Sequence, residues 1–234
     1  MFDHVTIRVS DREASDRFYD TVLPVLGLPR SGGEWGDFGI IDDDQPATAR
    51  LHIAFYAPTH ELVDAFHEAG VAAGFESDGA PGRRDYTPDY YGAFLLDPDG
   101  NSVEAVSLEE ERETGQIDHL WLRTTDLDAV TRFYEAVAPV IGFEVQRRSP
   151  EHTHIFSPTG SFSFIAGDEP TERVHIAFGA EDDATVDAFH AAATSAGYAD
   201  NGAPGERAVY HAGYYGAFVR DPDGHNIEVV NHNR

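Results

Sequence analysis

An α+β fold, one domain written twice in tandem and built from four βαβββ modules, is what this sequence predicts. Three observations carry the prediction. Blocks of residues recur in register along the chain, each recurrence couples strand patterns to an amphipathic helix pattern, and the same His, His, Glu set stands in both copies.

The repeat comes first because every other reading depends on it. DHVTIRV at 3–9 returns as DHLWLRT at 118–124, and RFY at 17–19 returns at 132–134. LHIAF at 51–55 returns as VHIAF at 174–178, and VDAFH at 63–67 returns at 186–190. GAPG at 79–82, YYGAF at 90–94 and DPDGNSVEAV at 97–106 return at 202–205, 214–218 and 221–230, the last as DPDGHNIEVV. The offset is 115 at the start, then 123, then 124, and the order never changes. Chance does not place so many blocks in one order, so the chain is a duplication. The second copy has gained residues before His175, around the HTHIF hairpin. The boundary falls in the charged stretch SLEEERETGQ at 107–116, giving a first domain over 1–112 and a second over 113–234.

Within each copy a His-bearing strand leads twice into a helix and then into further strands, at His4 and His52 and again at His119 and His175. Ser10-Asp11-Arg12-Glu13 reads as a capping box opening a helix to about Leu26, with Phe18, Val22 and Leu26 at helical spacing. Asp126 takes the cap role before Ala129, Phe133 and Val137. Leu62, Ala65, Phe66 and Ala69 make the apolar stripe of the second helix, which Gly70 is expected to end. Asp97-Pro98-Asp99-Gly100 and Asp221-Pro222-Asp223-Gly224 read as tight turns between strands, structural rather than chemical.

Strand alternation then assigns faces. Val5, Ile7 and Val9 oppose His4, Thr6 and Arg8, while Leu120 and Leu122 oppose His119, Trp121 and Arg123. His52 opposes Leu51 and Ile53, and His175 opposes Val174 and Ile176. Glu104 opposes Val103 and Ala105, and Glu228 opposes Ile227 and Val229. Helices must cover the apolar faces, so all six polar residues point to the other side of their sheets. Small neighbours such as Ala54, Ala177 and Gly179 leave room there. A carboxylate among Val, Ala and Ile is costly to bury without a partner, and a cation answers that cost. Two His and one carboxylate leave coordination positions open, as a catalytic metal requires.

Composition removes several classes of function. Asp and Glu number 42 against 16 basic residues, all of them arginine, for a net charge of -26. Such a surface repels phosphate backbones and anionic membranes, so neither nucleic acid nor a membrane is an expected partner. With no cysteine in the chain, disulfides, thiolate zinc sites and thiol nucleophiles are excluded. No apolar run approaches the ~20 residues that span a bilayer, and MFDHVTIRVS has no signal-peptide pattern, so a cytoplasmic location is the expectation.

The opening DHVTIRV-type strand, the RFY of the first helix, the HIAF strand and the DPDG-x-x-x-E ending resemble the vicinal oxygen chelate superfamily. Its members include glyoxalase I, fosfomycin-resistance proteins, bleomycin-resistance proteins and extradiol dioxygenases. The resemblance spans essentially the whole chain, and implies glyoxalase/dioxygenase-type domains in which paired βαβββ modules form cup-shaped open barrels around a divalent metal. Carried over residue by residue, it implies the ligands His4, His52 and Glu104 in the first domain, and His119, His175 and Glu228 in the second. These are the six that alternation places on the inward faces. Glyoxalase I usually adds a fourth ligand, a Glu on the last strand of the first module. The corresponding runs here, Asp37 to Ile41 and Ser161 to Ile165, hold no Glu. Asp37 could substitute in one, Ser163 only poorly in the other.

Three ligands in fused copies resemble the extradiol dioxygenases more than the isomerase. That implies an oxidoreductase on a small molecule with adjacent oxygens and one divalent metal per domain, Fe(II) favoured, with Mn, Ni and Zn as alternatives. The expected acid–base residues are Tyr210, His211 and Tyr214. Domain 1 carries Tyr86, Tyr90 and Tyr91 with Thr87 in place of the His, so the second domain is favoured for catalysis. Arg8, Arg123, Trp121, Phe94, Phe218 and Tyr90 are the expected substrate contacts. The alternatives are a non-catalytic drug- or metabolite-binding protein of the bleomycin-resistance type, and a lyase, isomerase or thiol transferase of the same fold. A homodimer is compatible with fused copies, which could pair internally or across chains.

Overall fold

In the computed structural model, residues 1–108 and 116–233 are described. The predicted boundary stretch at 107–116 lies largely outside them. The second module runs β3 (His52–Tyr56), α2 (His60–Ala72), β4 (Ser77–Arg83), β5 (Tyr91–Leu96) and β6 (Ser102–Ser107). The third runs β7 (Ile117–Thr124), α3 (Leu127–Val137), β8 (Glu144–Ser149), β9 (His152–Ser157) and β10 (Gly160–Ala166). The fourth runs β11 (His175–Gly179), α4 (Asp183–Ser195), β12 (Ala199–Glu206), β13 (Tyr215–Arg220) and β14 (Asn226–Asn231). The first module is shorter in strands. After β1 (Phe2–Arg8) and α1 (Arg12–Val22) it has one strand, β2 (Phe38–Ile41), and two isolated bridges, Ser31 to Glu34 and Trp35 to Phe38. Gly32 and Gly33 there have φ of 65° and 101°, left-handed values that turn the chain back before a regular strand can form.

The chain divides into two compact units, Met1–Thr6 with Leu122–Arg234, and Ile7–Trp121. The division falls inside β1 and β7, so the first half of each opening strand belongs with the other copy of the repeat. In the first unit the sheet order is β12-β13-β14-β11-β1. β1 runs antiparallel to β11, with His4 opposite Ala177, and β11 runs parallel to β14, with Ala177 opposite Glu228. The second unit repeats this as β4-β5-β6-β3-β7, with Ala54 opposite both His119 and Glu104. Each unit buries one aromatic core of its own. Tyr19 lies 4.8 Å from Phe38, which lies 5.4 Å from Phe55, and Tyr134 lies 5.1 Å from Phe162, which lies 5.6 Å from Phe178. All six rings are fully buried, each contributing roughly 1.5–3 kcal/mol by removal from water.

Helix ends differ in detail from the sequence reading. The cap of α1 is Asp11, which accepts from the Ala14 N–H, while Ser10 bonds to Asp99. The α-helix stops at Val22 because Pro24 lacks the N–H that a further turn needs, and Leu23–Leu26 continues as a 3-10 turn. Gly70 does not end α2, which runs on to Ala72. Gly70 is instead a packing residue: a Cβ there would come within 2.3 Å of the Leu95 side chain. Asp126 caps α3 as expected, accepting from Ala129. No helix among the described residues is long and apolar enough to cross a membrane.

The two DPDG turns close as expected, with Gly100 N–H to Asp97 C=O at 3.0 Å and Gly224 N–H to Asp221 C=O at 2.9 Å. Their surroundings differ. Asp97 accepts from Tyr19 and from Asn101, whereas His225 stands in the Asn101 position of the second copy. Burial there pushes the Asp221 carboxyl up to about 7 and the His225 imidazole down to about 4. A raised acid stabilises the fold at low pH and loses that contribution as pH rises from about 4 to about 7. A depressed histidine does the reverse, losing its contribution as pH falls from about 6.5 to about 4. The two effects oppose each other in one window. Asp221→Asn keeps the turn acceptor and removes the acid, so its melting temperature should fall more steeply than that of wild type between pH 7 and pH 4. Parallel melting curves across that range would show that Asp221 carries no such weight.

Candidate metal centres

Two clusters form, one in each unit: His4, His175 and Glu228, and His52, Glu104 and His119. In each, one ligand atom per residue lies within 4.8 Å of the others. The geometry is nearly duplicated. Glu104 Oε2 is 2.9 Å from His52 Nε2 and 3.5 Å from His119 Nε2. Glu228 Oε2 is 2.9 Å from His175 Nε2 and 3.6 Å from His4 Nε2. The carboxylates are 0% and 1% exposed. The six sequence-predicted ligands therefore all converge, but each opening-strand histidine joins the His and Glu of the other copy. Sequence order groups them by copy; strand pairing regroups them.

Local sequence explains the placement. Ala54 and Ala177 lie between their flanking ligands on adjacent strands, so a methyl group stands where a larger side chain would fill the space. Gly92 and Gly216 lie beside the carboxylates: a Cβ would fall 2.3 Å from Glu104 Oε1 or 2.9 Å from Glu228 Oε1. The other carboxylate oxygen is held from the side. Tyr90 donates to Glu104 Oε1 at 2.7 Å, and Tyr214 donates to Glu228 Oε1 at 2.6 Å. Burial, and then the adjacent carboxylate, push both phenols well above their ordinary pKa, so each keeps its proton and donates it. Oε2 is left turned to the two imidazoles.

The histidines of the opening strands are held from behind. His4 Nδ1 bonds to Asp3 Oδ1 at 2.8 Å, and His119 Nδ1 to Asp118 Oδ1 at 2.6 Å. A proton on Nδ1 leaves the Nε2 lone pair to face the cluster. Neighbouring strand residues normally point to opposite faces. Here the ladder shifts register between Phe2 and His4, and between Ile117 and His119, so Asp3 and Asp118 are the extra residues of β-bulges. Regular alternation therefore misses both aspartates. The signal present in the sequence is that the Asp-His pair recurs in both copies. At Asp3, burial alone would raise the carboxyl, but hydrogen bonds from His4 and His232 prevail and hold it below the ordinary value.

The remaining predicted residues take varied places. Trp121, 38% exposed, stands edge-on to His52 with 6.5 Å between ring centres and 6.1 Å from Tyr86. Phe94 is 5.8 Å from His52, and Phe218 is 6.2 Å from His175. Each Phe carries a guanidinium over its face, Arg84 at 5.2 Å and Arg207 at 5.6 Å, a pairing not foreseen from sequence. Arg8 pairs with Asp43 at 3.1 Å, and the stem of Arg123 lies beside Gly167. Tyr210 is 61% exposed with its ring 4.8 Å from that of Tyr214. His211 bonds to His232 at 2.8 Å. Asp37 is not a fourth ligand: it accepts the Gln116 and Ile117 N–H groups at 2.9 and 3.2 Å. Ser163 sits between His152 and His154, bonded to both.

The donor set fits a divalent cation. Each cluster offers two imidazole nitrogens and one buried carboxylate oxygen, and among the described residues no Arg lies within bonding distance of Glu104 or Glu228.

The family model of the Glyoxalase/Bleomycin resistance protein/Dioxygenase superfamily matches residues 1–105 and 116–229. Glyoxalase I from Zea mays superposes with a TM-score of 0.68 at 17% identity, covering 99% of this chain and 92% of its own. A putative dioxygenase from Bacillus subtilis subsp. subtilis str. 168 superposes with a TM-score of 0.69 at 15% identity, covering 100% of this chain and 85% of its own. No curated protein matches. At these identities the superpositions establish the fold.

Removing the tyrosine donor strands a buried carboxylate oxygen. Tyr90→Phe and Tyr214→Phe should each lower stability by about 1–3 kcal/mol, read by denaturant unfolding of metal-free protein. Unchanged midpoints would show that the hydroxyls are not holding the carboxylates.

Proposed function

The chain belongs to the glyoxalase/bleomycin resistance/dioxygenase superfamily, and from that premise we propose that it is a metal-dependent enzyme acting on a small molecule with two adjacent oxygens, by extradiol-dioxygenase-like oxidation with O2. The observation that carries this reading is the three-ligand set, two His and one Glu, found in each unit. Such a set leaves neighbouring coordination positions for a chelating substrate, and suits Fe(II), with Mn(II), Ni(II) and Zn(II) as alternatives. When bound, the ion would supply Lewis-acid stabilisation of negative charge on the adjacent oxygens.

The chain's own residues divide the remaining work. Glu104 and Glu228, each fixed by a tyrosine, and the paired histidines hold the ion. Asp3 and Asp118 keep His4 and His119 turned toward it. Tyr214, expected to move a proton, has its hydroxyl committed to Glu228 and acts as a positioning residue, as does Tyr90. His211 is bonded at both ring nitrogens, so exposed Tyr210, on the segment leading into Tyr214, is the expected residue left to exchange a proton with substrate in the first unit. Phe94 and Trp121 border His52, and Phe218 borders His175; these rings suit a flat aromatic substrate. Arg8 and Arg123 carry less weight as substrate contacts, Arg8 because its guanidinium is paired with Asp43.

The exposed pair Trp121 and Tyr86 also favours a second reading, a protein that binds an aromatic ligand without turning it over. Metal analysis and oxygen uptake separate the two. Purified protein should hold up to two equivalents of divalent metal, Glu104→Ala and Glu228→Ala one each, and the double variant none. Oxygen consumption with catechols should follow the metal content. Metal content unchanged in the double variant would remove the ligand assignment. Metal binding and quenching of Trp121 fluorescence by catechols without oxygen uptake would favour the binding protein.

A further inference from the structure

The first unit holds a chain of hydrogen bonds that continues outward from its cluster. Asp3 uses Oδ1 for His4 Nδ1, and its other oxygen, Oδ2, lies 2.7 Å from His232 Nε2. His232 Nδ1 in turn lies 2.8 Å from His211 Nε2, and His211 Nδ1 lies 2.8 Å from the Ala212 carbonyl. The two imidazoles meet end to end, their centres 5.1 Å apart and their planes 19° from parallel, and His232 stands edge-on to Tyr214, the tyrosine that holds Glu228. Two parts of the cluster, His4 through Asp3 and Glu228 through Tyr214, are thus touched by one side chain.

Donor counting limits what this chain can be. The Ala212 carbonyl only accepts, so His211 Nδ1 carries a proton. The Asp3 carboxylate accepts, so His232 Nε2 carries another. The ring-to-ring contact joins these two ends, so the chain terminates on the aspartate that aims His4. A carboxylate bonded at one oxygen can still swing about its Cβ–Cγ bond; bonded at both, it is fixed in plane. A metal-facing imidazole takes its orientation from the partner of its other nitrogen, and loss of such a partner typically weakens metal binding by about 10–100-fold.

We propose that His232, set in place by His211, is a positioning residue for the first unit's metal centre: it fixes Asp3 and thereby the ring of His4. The proposal rests on the metal reading above. At the corresponding repeat positions the second unit has Leu108 and Thr87. Leu108 offers no hydrogen bond and packs against Ala54, Tyr90 and Val106, so the position is used there for apolar contact alone.

The test uses the full chain in a Glu104→Gln background, which leaves the first unit's cluster as the site to be read. Metal-stripped protein is titrated with Co(II), followed by equilibrium dialysis and by the visible absorption of the bound ion. His232→Leu should weaken binding by about ten-fold or more and alter the spectrum. His232→Gln, whose amide N–H can still donate to Asp3, should recover most of both, which a residue needed only for packing would not do. His211→Thr should weaken binding by a smaller factor. Equal affinity and equal spectra for His232→Leu and its parent would overturn the proposal, as would a His232→Gln variant no better than His232→Leu. If His232→Leu fails to fold, the comparison of His232→Gln with the parent decides: a ten-fold loss there overturns it. A Glu104→Gln parent that takes up no cobalt defeats the metal reading of this cluster, and the proposal falls with it.

Discussion

Two carboxylates are buried where water cannot reach them, and much of the structure answers that fact. An ionised group taken out of water costs several kcal/mol unless opposite charge and hydrogen bonds compensate. Glu104 and Glu228 are compensated from two sides. A tyrosine hydroxyl occupies one oxygen, and two imidazole nitrogens face the other. Room for this comes from residues chosen for size, with Gly92 and Gly216 beside Oε1 and Ala54 and Ala177 between the ligand-bearing strands. Imidazoles compensate only partly, and a divalent cation at their meeting point would complete the balance. The same constraint accounts for the recurrence of YYGAF and HIAF in both copies.

Duplication alone does not make the two clusters. Each copy supplies one His and one Glu on adjacent parallel strands, β11 with β14 and β3 with β6. The second His arrives on an opening strand that pairs antiparallel with the other copy's sheet. Neither cluster is complete within one sequence copy, and His4 depends on the placement of the first six residues of the chain.

The sequence shows the duplication, the six ligand residues and their facing, because period-two alternation and a long repeat are local signals. The α3 cap at Asp126 and both DPDG turns are legible for the same reason. Which His meets which Glu is not local: it depends on pairing between residues far apart in sequence, Ala54 with His119 and His4 with Ala177. Asp3 and Asp118 escape because a bulge breaks the alternation that placed everything else. His232 is not singled out by the sequence, since nothing nearby reveals that the chain after β14 carries it back to Asp3. Asp37 reads as a spare ligand, yet its carboxylate secures the backbone at the start of β7. Gly70 reads as a helix end where its real task is to admit Leu95.

The central claim is that each metal centre is assembled from both copies. Anomalous diffraction from crystals soaked in Co(II) or Zn(II), recorded at the edge of the metal, tests it most directly. The account predicts one anomalous peak within bonding distance of His4, His175 and Glu228, and one within bonding distance of His52, His119 and Glu104. Peaks that join His4 to His52 and Glu104, or that lie away from these six side chains, would contradict it.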